Sequence, residues 1–234
     1  MKVFSFCIYG SNKKYYYGLN ENYRLIQKFF PDFQVHVYIG NPYSKDLLDE
    51  VDPNIKRIYT DAKEGITTIF RYLPILNSDI ETLFVRDADS EVNERDAWCI
   101  REFLKNNDFN VHSIRDHYWH KSRLMAGTTG FKKSSFSLIH DTFKTQLDSI
   151  KDDKDLFYGG DEVFLDKHVH PLIQDTLMIH TNINAHVNES YFPIKFKNDN
   201  VNFVGNVVEY EGGKRYKFKY TDFNIRDQLL WLQR

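Results

Sequence analysis

The chain has 234 residues, enough for one large domain with a substantial core. Hydrophobic content of 41% and charged content of 27% are those of a globular protein, and a formal net charge of −2 gives no electrostatic basis for binding nucleic acid or an anionic membrane. Any phosphate-bearing ligand must therefore be held by local charges or by a metal. The 19 Phe and 15 Tyr point to a thick core, with a sugar or base site as their other use. Cys7 and Cys99 form no metal-type spacing and no disulfide framework, so both read as reduced core residues. The apolar stretch within Met1 to Gly10 is too short for a signal peptide or a membrane span, and no long apolar run follows; the expectation is a soluble, intracellular (cytoplasmic) protein.

Val3 to Tyr9 is rich in strand formers and stops at Gly10-Ser11-Asn12, which predicts a first strand. Tyr16 to Phe30 carries Leu19, Tyr23, Ile26 and Phe29 at helical spacing and ends before Pro31. Gln34 to Ile39 is a second strand ending at Gly40-Asn41-Pro42. A short helix over Lys45 to Val51 and a strand over Ile55 to Tyr59 repeat the unit, and this alternation predicts a parallel sheet with helices on its faces. Thr67 to Leu76 predicts a helix ending near Pro74, with Arg71 as a surface or capping residue or, alternatively, a group reaching toward a phosphate or base.

Glu81 to Ser90 is the most informative stretch. Leu83 to Val85 has the length of a buried strand, and Asp87-Ala88-Asp89 follows at its end. Side chains two apart on extended chain point the same way, so two carboxylates can converge on one hard cation, Mg²⁺ or Mn²⁺, with water and substrate phosphate completing its shell. Strand ends are also where open α/β sheets bind ligands. Asn93 predicts the cap of a helix from Glu94 to about Lys105 that buries Trp98, Ile100 and Leu104.

Val111 to Ile114 resumes the sheet and leads into a loop holding Arg115, Asp116, His117 and His120, then into Met125 to Gly130, a small and flexible run. Lys133 to Ile150 is an amphipathic helix burying Phe136, Ile139, Phe143 and Leu147. Lys151 to Asp155 is a solvated loop. Tyr158-Gly159-Gly160-Asp161-Glu162 opens a helix to about His168, where the carboxylates suit the helix N-terminus and the glycines allow close approach. Leu177 to Ile179 is a strand ending in His180. Val201 to Tyr220 reads as a hairpin turning at Gly212-Gly213, with a last helix over Asp222 to Leu232.

Together Ser5 to Gly10, Phe70 to Leu73, Val85-Arg86-Asp87-Ala88-Asp89-Ser90, Ile114 to His117, Met125 to Gly127, Gly160-Asp161-Glu162, Ile179-His180 and Asn202 to Gly205 resemble, in order and spacing, the GT-A class of nucleotide-sugar glycosyltransferases, in particular its small bacterial and viral members. The resemblance implies a Rossmann-like α/β single domain over 1–234, with a central, mostly parallel sheet, helices on both faces and an irregular C-terminal third. Residues 1–110 would form the nucleotide-binding half and 111–234 the donor-sugar and acceptor half. It implies that Tyr9 and Gly10 meet the base and ribose, that Arg71, Arg86, Asp87 and Ala88 border the nucleotide, and that Asp87, Asp89 and His180 hold Mn²⁺ or Mg²⁺. Asp161 matches an acidic position near the reaction centre and is the first candidate for a base, with Asp116 second. The implied partners are a nucleotide-sugar donor, UDP-linked or similar, and a glycan or other hydroxyl acceptor. Gly-Gly-Asp-Glu stands where Asp-Gln is expected, and Thr128-Thr129-Gly130 where an aromatic residue often precedes the glycine. The competing readings are a phosphohydrolase of the haloacid dehalogenase type, with Asp87 as nucleophile, and a nucleotide-sugar-binding module without catalysis.

Overall fold

Strand β1 (Lys2–Gly10) is apolar at almost every position because it is covered on both sides: it pairs in parallel with β2 (Gln34–Tyr43) and β4 (Thr82–Arg86). A computed structural model describes residues 1–63, 67–149, 159–183, 185–196, 201–211 and 214–217. The remaining strands of the main sheet are β3 (Lys56–Lys63), β5 (Val111–Arg115), β6 (Thr128–Lys132), β7 (Leu177–Thr181) and β8 (Tyr191–Phe192), in the order β3-β2-β1-β4-β6-β5-β7-β8. All neighbours are parallel except that β6 runs antiparallel to both β4 and β5.

Alternate strand residues feed two cores. Phe4, Phe6, Ile8 and Phe84 face a cluster closed by α1 (Lys13–Phe29), α2 (Lys45–Asp49) and α4 (Glu94–Lys105). Val3, Leu83 and Val85 face another, closed by α3 (Thr67–Phe70), α5 (Lys133–Ser149), α6 (Gly160–Phe164) and α7 (His170–Ile173). Helices therefore flank both faces, as the sequence predicts. Phe4 sits 5.3 Å, centroid to centroid, from both Phe33 and Phe84, and each such fully buried ring contributes about 1.5–3 kcal/mol.

Several predicted elements shift. Strand β2 runs on through Gly40-Asn41-Pro42, with a register shift between Ile39 and Asn41. The helix expected over Thr67 to Leu76 is α3 followed by a 3₁₀ turn, Leu73–Leu76, that contains Pro74. The run Thr128-Thr129-Gly130, expected as loop, starts β6. In α4 the buried face is Cys99, Ile100 and Phe103, while Trp98 and Leu104 are half-buried. Between α6 and α7 lies one π-helical turn, Leu165–Val169. The C-terminal hairpin, β9 (Val208–Glu211) and β10 (Lys214–Lys217), forms a separate two-stranded sheet. The expected loop 151–155, turn 212–213 and helix 222–232 lie outside the described residues. Among the described residues no helix is long and apolar enough to cross a membrane.

Candidate active site

Strand β1 runs on past the end of its neighbour β4, and its last residues together with the chain after β4 form one wall of a cleft of about 150 Å³. Tyr9, Tyr15, Arg71, Asp87, Ala88 and Asp89 line it, together with Val207 from the C-terminal region. Gly10, at the end of β1, has φ +69°, and its carbonyl accepts the Tyr16 hydroxyl at 2.7 Å, which turns the chain into α1. The sequence thus foresees five of these lining residues: Tyr9, Arg71, Asp87, Ala88 and Asp89.

The Asp-Ala-Asp loop is held from three directions. From α1, the buried Asn22 donates to the Ser90 carbonyl at 2.7 Å and accepts the Val92 N–H at 2.9 Å. Gly18 lets the same helix lie against the loop, since a Cβ there would fall 2.0 Å from the Ala88 carbonyl oxygen. From the C-terminal region, the Val208 N–H donates to the Asp89 carbonyl at 2.7 Å. From the segment before β6, Gly127 passes so close that a Cβ would fall 1.9 Å from Oδ2 of Asp87.

Both carboxylates meet a cation. Arg71, for which a surface place and a place near a phosphate or base were both open, is 3% exposed; its Nη1 contacts Asp87 and its Nη2 donates to Asp161 at 2.7 Å. Burial works against the guanidinium charge, but Asp87 and Asp161 more than offset it and hold its pKa well above the ordinary value. Lys14 reaches Asp89 at 3.0 Å and Glu209 at 3.1 Å. A lysine in the first turn of a helix is on the wrong side of the helix dipole, the one sequence signal that could have marked it. Burial and the charge of Asp87 raise the Asp89 carboxyl, with Lys14 acting in the opposite direction. Two neighbouring carboxylates form a hard-oxygen donor set that fits a divalent cation, provided Lys14 gives way. Among the described residues no third Asp, Glu, His or Cys joins them.

Asp161 opens α6 and is 6% exposed; its Oδ1 accepts the Glu162 N–H at 3.0 Å while Oδ2 takes Arg71. Glu162, read from sequence only as a first-turn residue, accepts the Ser122 hydroxyl at 3.0 Å. Burial, reinforced by Asp161 and Asp87 and partly offset by hydrogen bonds from Ser122 and the Ala126 N–H, pushes its carboxyl up to about 7.

Five expected site residues are not in the cleft lining: Gly10 and Asp161, which border it through Tyr9 and Arg71, and Arg86, Asp116 and His180, which are turned elsewhere. Arg86 is 2% exposed and spends its guanidinium on Asp96, at 2.7 and 2.8 Å, and on the Val85 and Thr129 carbonyls. That pair ties α4 to the sheet, because the side chain of a strand residue next to Asp87 points to the other face. Asp116 is fully buried in an ion pair with Arg95 and accepts the Val204 N–H at 2.9 Å. Its carboxylate is committed to holding that segment. His180 lies within β7 instead of after it; Nδ1 pairs with Nε2 of His112 at 2.8 Å, and the ring packs on Trp98 and Phe192. Burial lowers its pKa to about 4. His117 and His120, also kept neutral by burial, pack against Phe203.

No family model matches this chain, and no curated protein matches it. Among solved structures, the galactosyltransferase LgtC in complex with donor and acceptor sugar analogs aligns at 17% identity and a TM-score of 0.52, over 77% of this chain and 73% of that one. Residues 1–349 of S. aureus TarS align at 14% identity and a TM-score of 0.50, over 82% of this chain and 60% of that one. At such identities the likeness speaks for architecture alone: the chain has the Rossmann-like, mixed α/β fold of the GT-A glycosyltransferases, with its acidic loop at the carboxyl ends of the central strands.

Proposed function

We propose that this chain is a glycosyltransferase that moves a sugar from a nucleoside diphosphate, UDP or similar, to a hydroxyl of a glycan or other acceptor. The observation that carries this reading is the convergence of Asp87, Asp89 and Arg71 with the Tyr9 and Tyr15 rings in one cleft at the strand ends. Rings 6.5 Å apart and stacked suit a flat base, and Arg71 suits a phosphate. Asp87 and Asp89 would hold Mn²⁺ or Mg²⁺, which when bound neutralises the charge that develops on a leaving diphosphate.

In the transfer the acceptor oxygen bonds to the anomeric carbon, the bond from that carbon to the diphosphate oxygen breaks, and the diphosphate leaves with the electron pair. The acceptor's proton needs a base within hydrogen-bond reach if the reaction inverts the anomeric centre. Asp161 matches the expected position, but it is neutralised by Arg71. Glu162 is half-buried with its pKa near 7, and we assign it the proton, with Asp161 keeping Arg71 in place.

The test is nucleotide binding. UDP with Mn²⁺ is expected to raise the melting temperature of the wild-type chain. Asp89→Asn should lose at least about tenfold in Mn²⁺-dependent UDP affinity. An Asp89→Asn variant that binds UDP as tightly as wild type in Mn²⁺ overturns the metal assignment. Turnover of a generic phosphate ester would favour the phosphohydrolase reading instead, and tight UDP binding with neither transfer nor donor hydrolysis would favour a binding module.

A further inference from the structure

Lys14 stands where a lysine is disfavoured. It is the second residue of α1, at the positive end of the helix dipole, and its side chain is only 16% exposed. An ammonium kept there depends on its partners. Among the described residues it pairs with two carboxylates: Oδ2 of Asp89 at 3.0 Å and, on β9, Oε1 of Glu209 at 3.1 Å. Its Nζ also lies over the Tyr15 ring, 5.1 Å from the centre, and that ring lines the cleft.

Asp89 is therefore claimed twice. The ammonium holds its Oδ2, and the divalent cation of the transferase reading would need the same carboxylate. A cation drawn to Asp87 and Asp89 brings two positive charges against an ammonium already in contact, and like charges that close oppose each other. Binding of the one thus requires release of the other.

Release leaves the surroundings in place. Strand β9 is attached without Lys14, because the Val208 N–H donates to the Asp89 carbonyl at 2.7 Å, Ser90 bridges Val207, and the Tyr17 and Tyr210 rings meet at 5.4 Å. Glu209 is the more exposed of the two partners, 33% against 14% for Asp89, so an ammonium leaving Asp89 keeps a carboxylate toward solvent. A diphosphate in the cleft supplies another partner, which the flexible four-carbon stem reaches from above Tyr15. Alone, a cation must displace the ammonium; beside a diphosphate, the displaced ammonium gains phosphate oxygens. Cation and nucleotide then favour each other's binding, by the same factor in either direction.

We propose that Lys14 is a resident counter-ion of the acidic loop, displaced from Asp89 by the divalent cation and handed on to the diphosphate. This exchange deepens the transferase reading and rests on its metal assignment.

The experiment is calorimetric titration of the full chain with Mn²⁺ alone, with UDP alone, and with Mn²⁺ after saturation with UDP. Lys14→Met should bind Mn²⁺ alone at least about fivefold tighter than wild type, and the factor by which UDP tightens Mn²⁺ should shrink at least about fivefold. Lys13→Met removes the same charge from an exposed neighbour and should change either quantity by no more than about twofold. Equal Mn²⁺ affinity in wild type and Lys14→Met overturns the exchange, and so does a change in Lys13→Met as large as that in Lys14→Met. Should Lys14→Met fail to fold, the wild-type chain decides by NMR. With UDP present, the Lys14 ammonium resonance, assigned by its loss in Lys14→Arg, should shift saturably with Mg²⁺; a fixed resonance while the Ala88 amide shifts saturably overturns the exchange. UDP binding that is indifferent to Mn²⁺ and Mg²⁺ removes the exchange and leaves a metal-free transferase standing. Tighter Mn²⁺ binding in Lys14→Met with no UDP binding in either chain keeps the displacement and removes the transferase reading.

Discussion

Glu162, next to Asp161 behind the cleft, differs from Asp87, Asp89 and Asp161 in pairing with no cation among the described residues. Asp87 and Asp161 share Arg71 and Asp89 has Lys14, while Glu162 has only the Ser122 hydroxyl and the Ala126 N–H. Its ordinary pKa of 4.5 is raised to about 7 in the folded chain, so between these values the folded state keeps a proton that the unfolded state has released. Stability must therefore fall as pH rises from about 4.5 to about 7 and level off above, by up to about 3 kcal/mol at about 1.4 kcal/mol per unit. Glu162→Gln should remove that slope, and urea denaturation of both proteins across this range measures it; an unchanged slope in the variant assigns it elsewhere. The same substitution should lower the transfer rate by about 10²–10⁴ and abolish the acid limb of the rate profile near pH 7, because a protonated Glu162 accepts nothing. Full activity in Glu162→Gln would return the role of base to Asp161.

Two glycines set how the elements around the acidic loop approach each other, and their substitution should separate folding from binding. At Gly18 an added methyl meets backbone, the Ala88 carbonyl, so α1 must move off the loop; Gly18→Ala is expected to cost about 1–3 kcal/mol in chemical denaturation. At Gly127 the methyl meets the Asp87 carboxylate, a half-exposed group that can turn toward solvent by giving up its contact with Arg71, which Asp161 keeps paired. Gly127→Ala should therefore stay close to wild-type stability and lose at least about tenfold in Mn²⁺-dependent UDP affinity, as calorimetry would show. A Gly127→Ala chain that unfolds early but binds normally contradicts this division. The elements themselves were legible wherever a period was strong: α4 and its Asn93 cap, α5, and the strand carrying Asp87 into the cleft fall where the pattern puts them. Strand β6 was not, because its defining residue is a glycine. Gly130 lies across the Phe84 ring, 2.4 Å from where its Cβ would be, so the position that reads as loop is one that only a strand packed between β4 and β5 requires. Lys14 and Glu162 were missed, and the carboxylate partners of Arg71 were not foreseen, for a related reason. Their partners are far away in sequence, 16 and 90 residues for Arg71, and no local period encodes such a contact.

Across the whole molecule the cleft gathers segments that depend on one another through Arg71. It follows α3, contacts Asp87 after β4 and reaches Asp161 at the start of α6, on a helix that packs into the same core as α5. Remove the guanidinium and the buried Asp161 carboxylate loses its cation, with the half-exposed Asp87 carboxylate on the other side of the gap and the Cys7 thiol beside it pushed up to about 12 chiefly by burial. Arg71→Met is thus expected to destabilise the chain by about 3–5 kcal/mol at neutral pH, the size seen when one member of a buried ion pair is deleted. Most of that penalty is repulsion and stranded charge, so pairing it with Asp161→Asn should recover about half, while Asp161→Asn alone should cost less than Arg71→Met because Arg71 retains Asp87. A double-mutant cycle by urea denaturation measures the coupling. If the two substitutions are additive, Arg71 does not join these segments, and the arginine acts on its ligand alone.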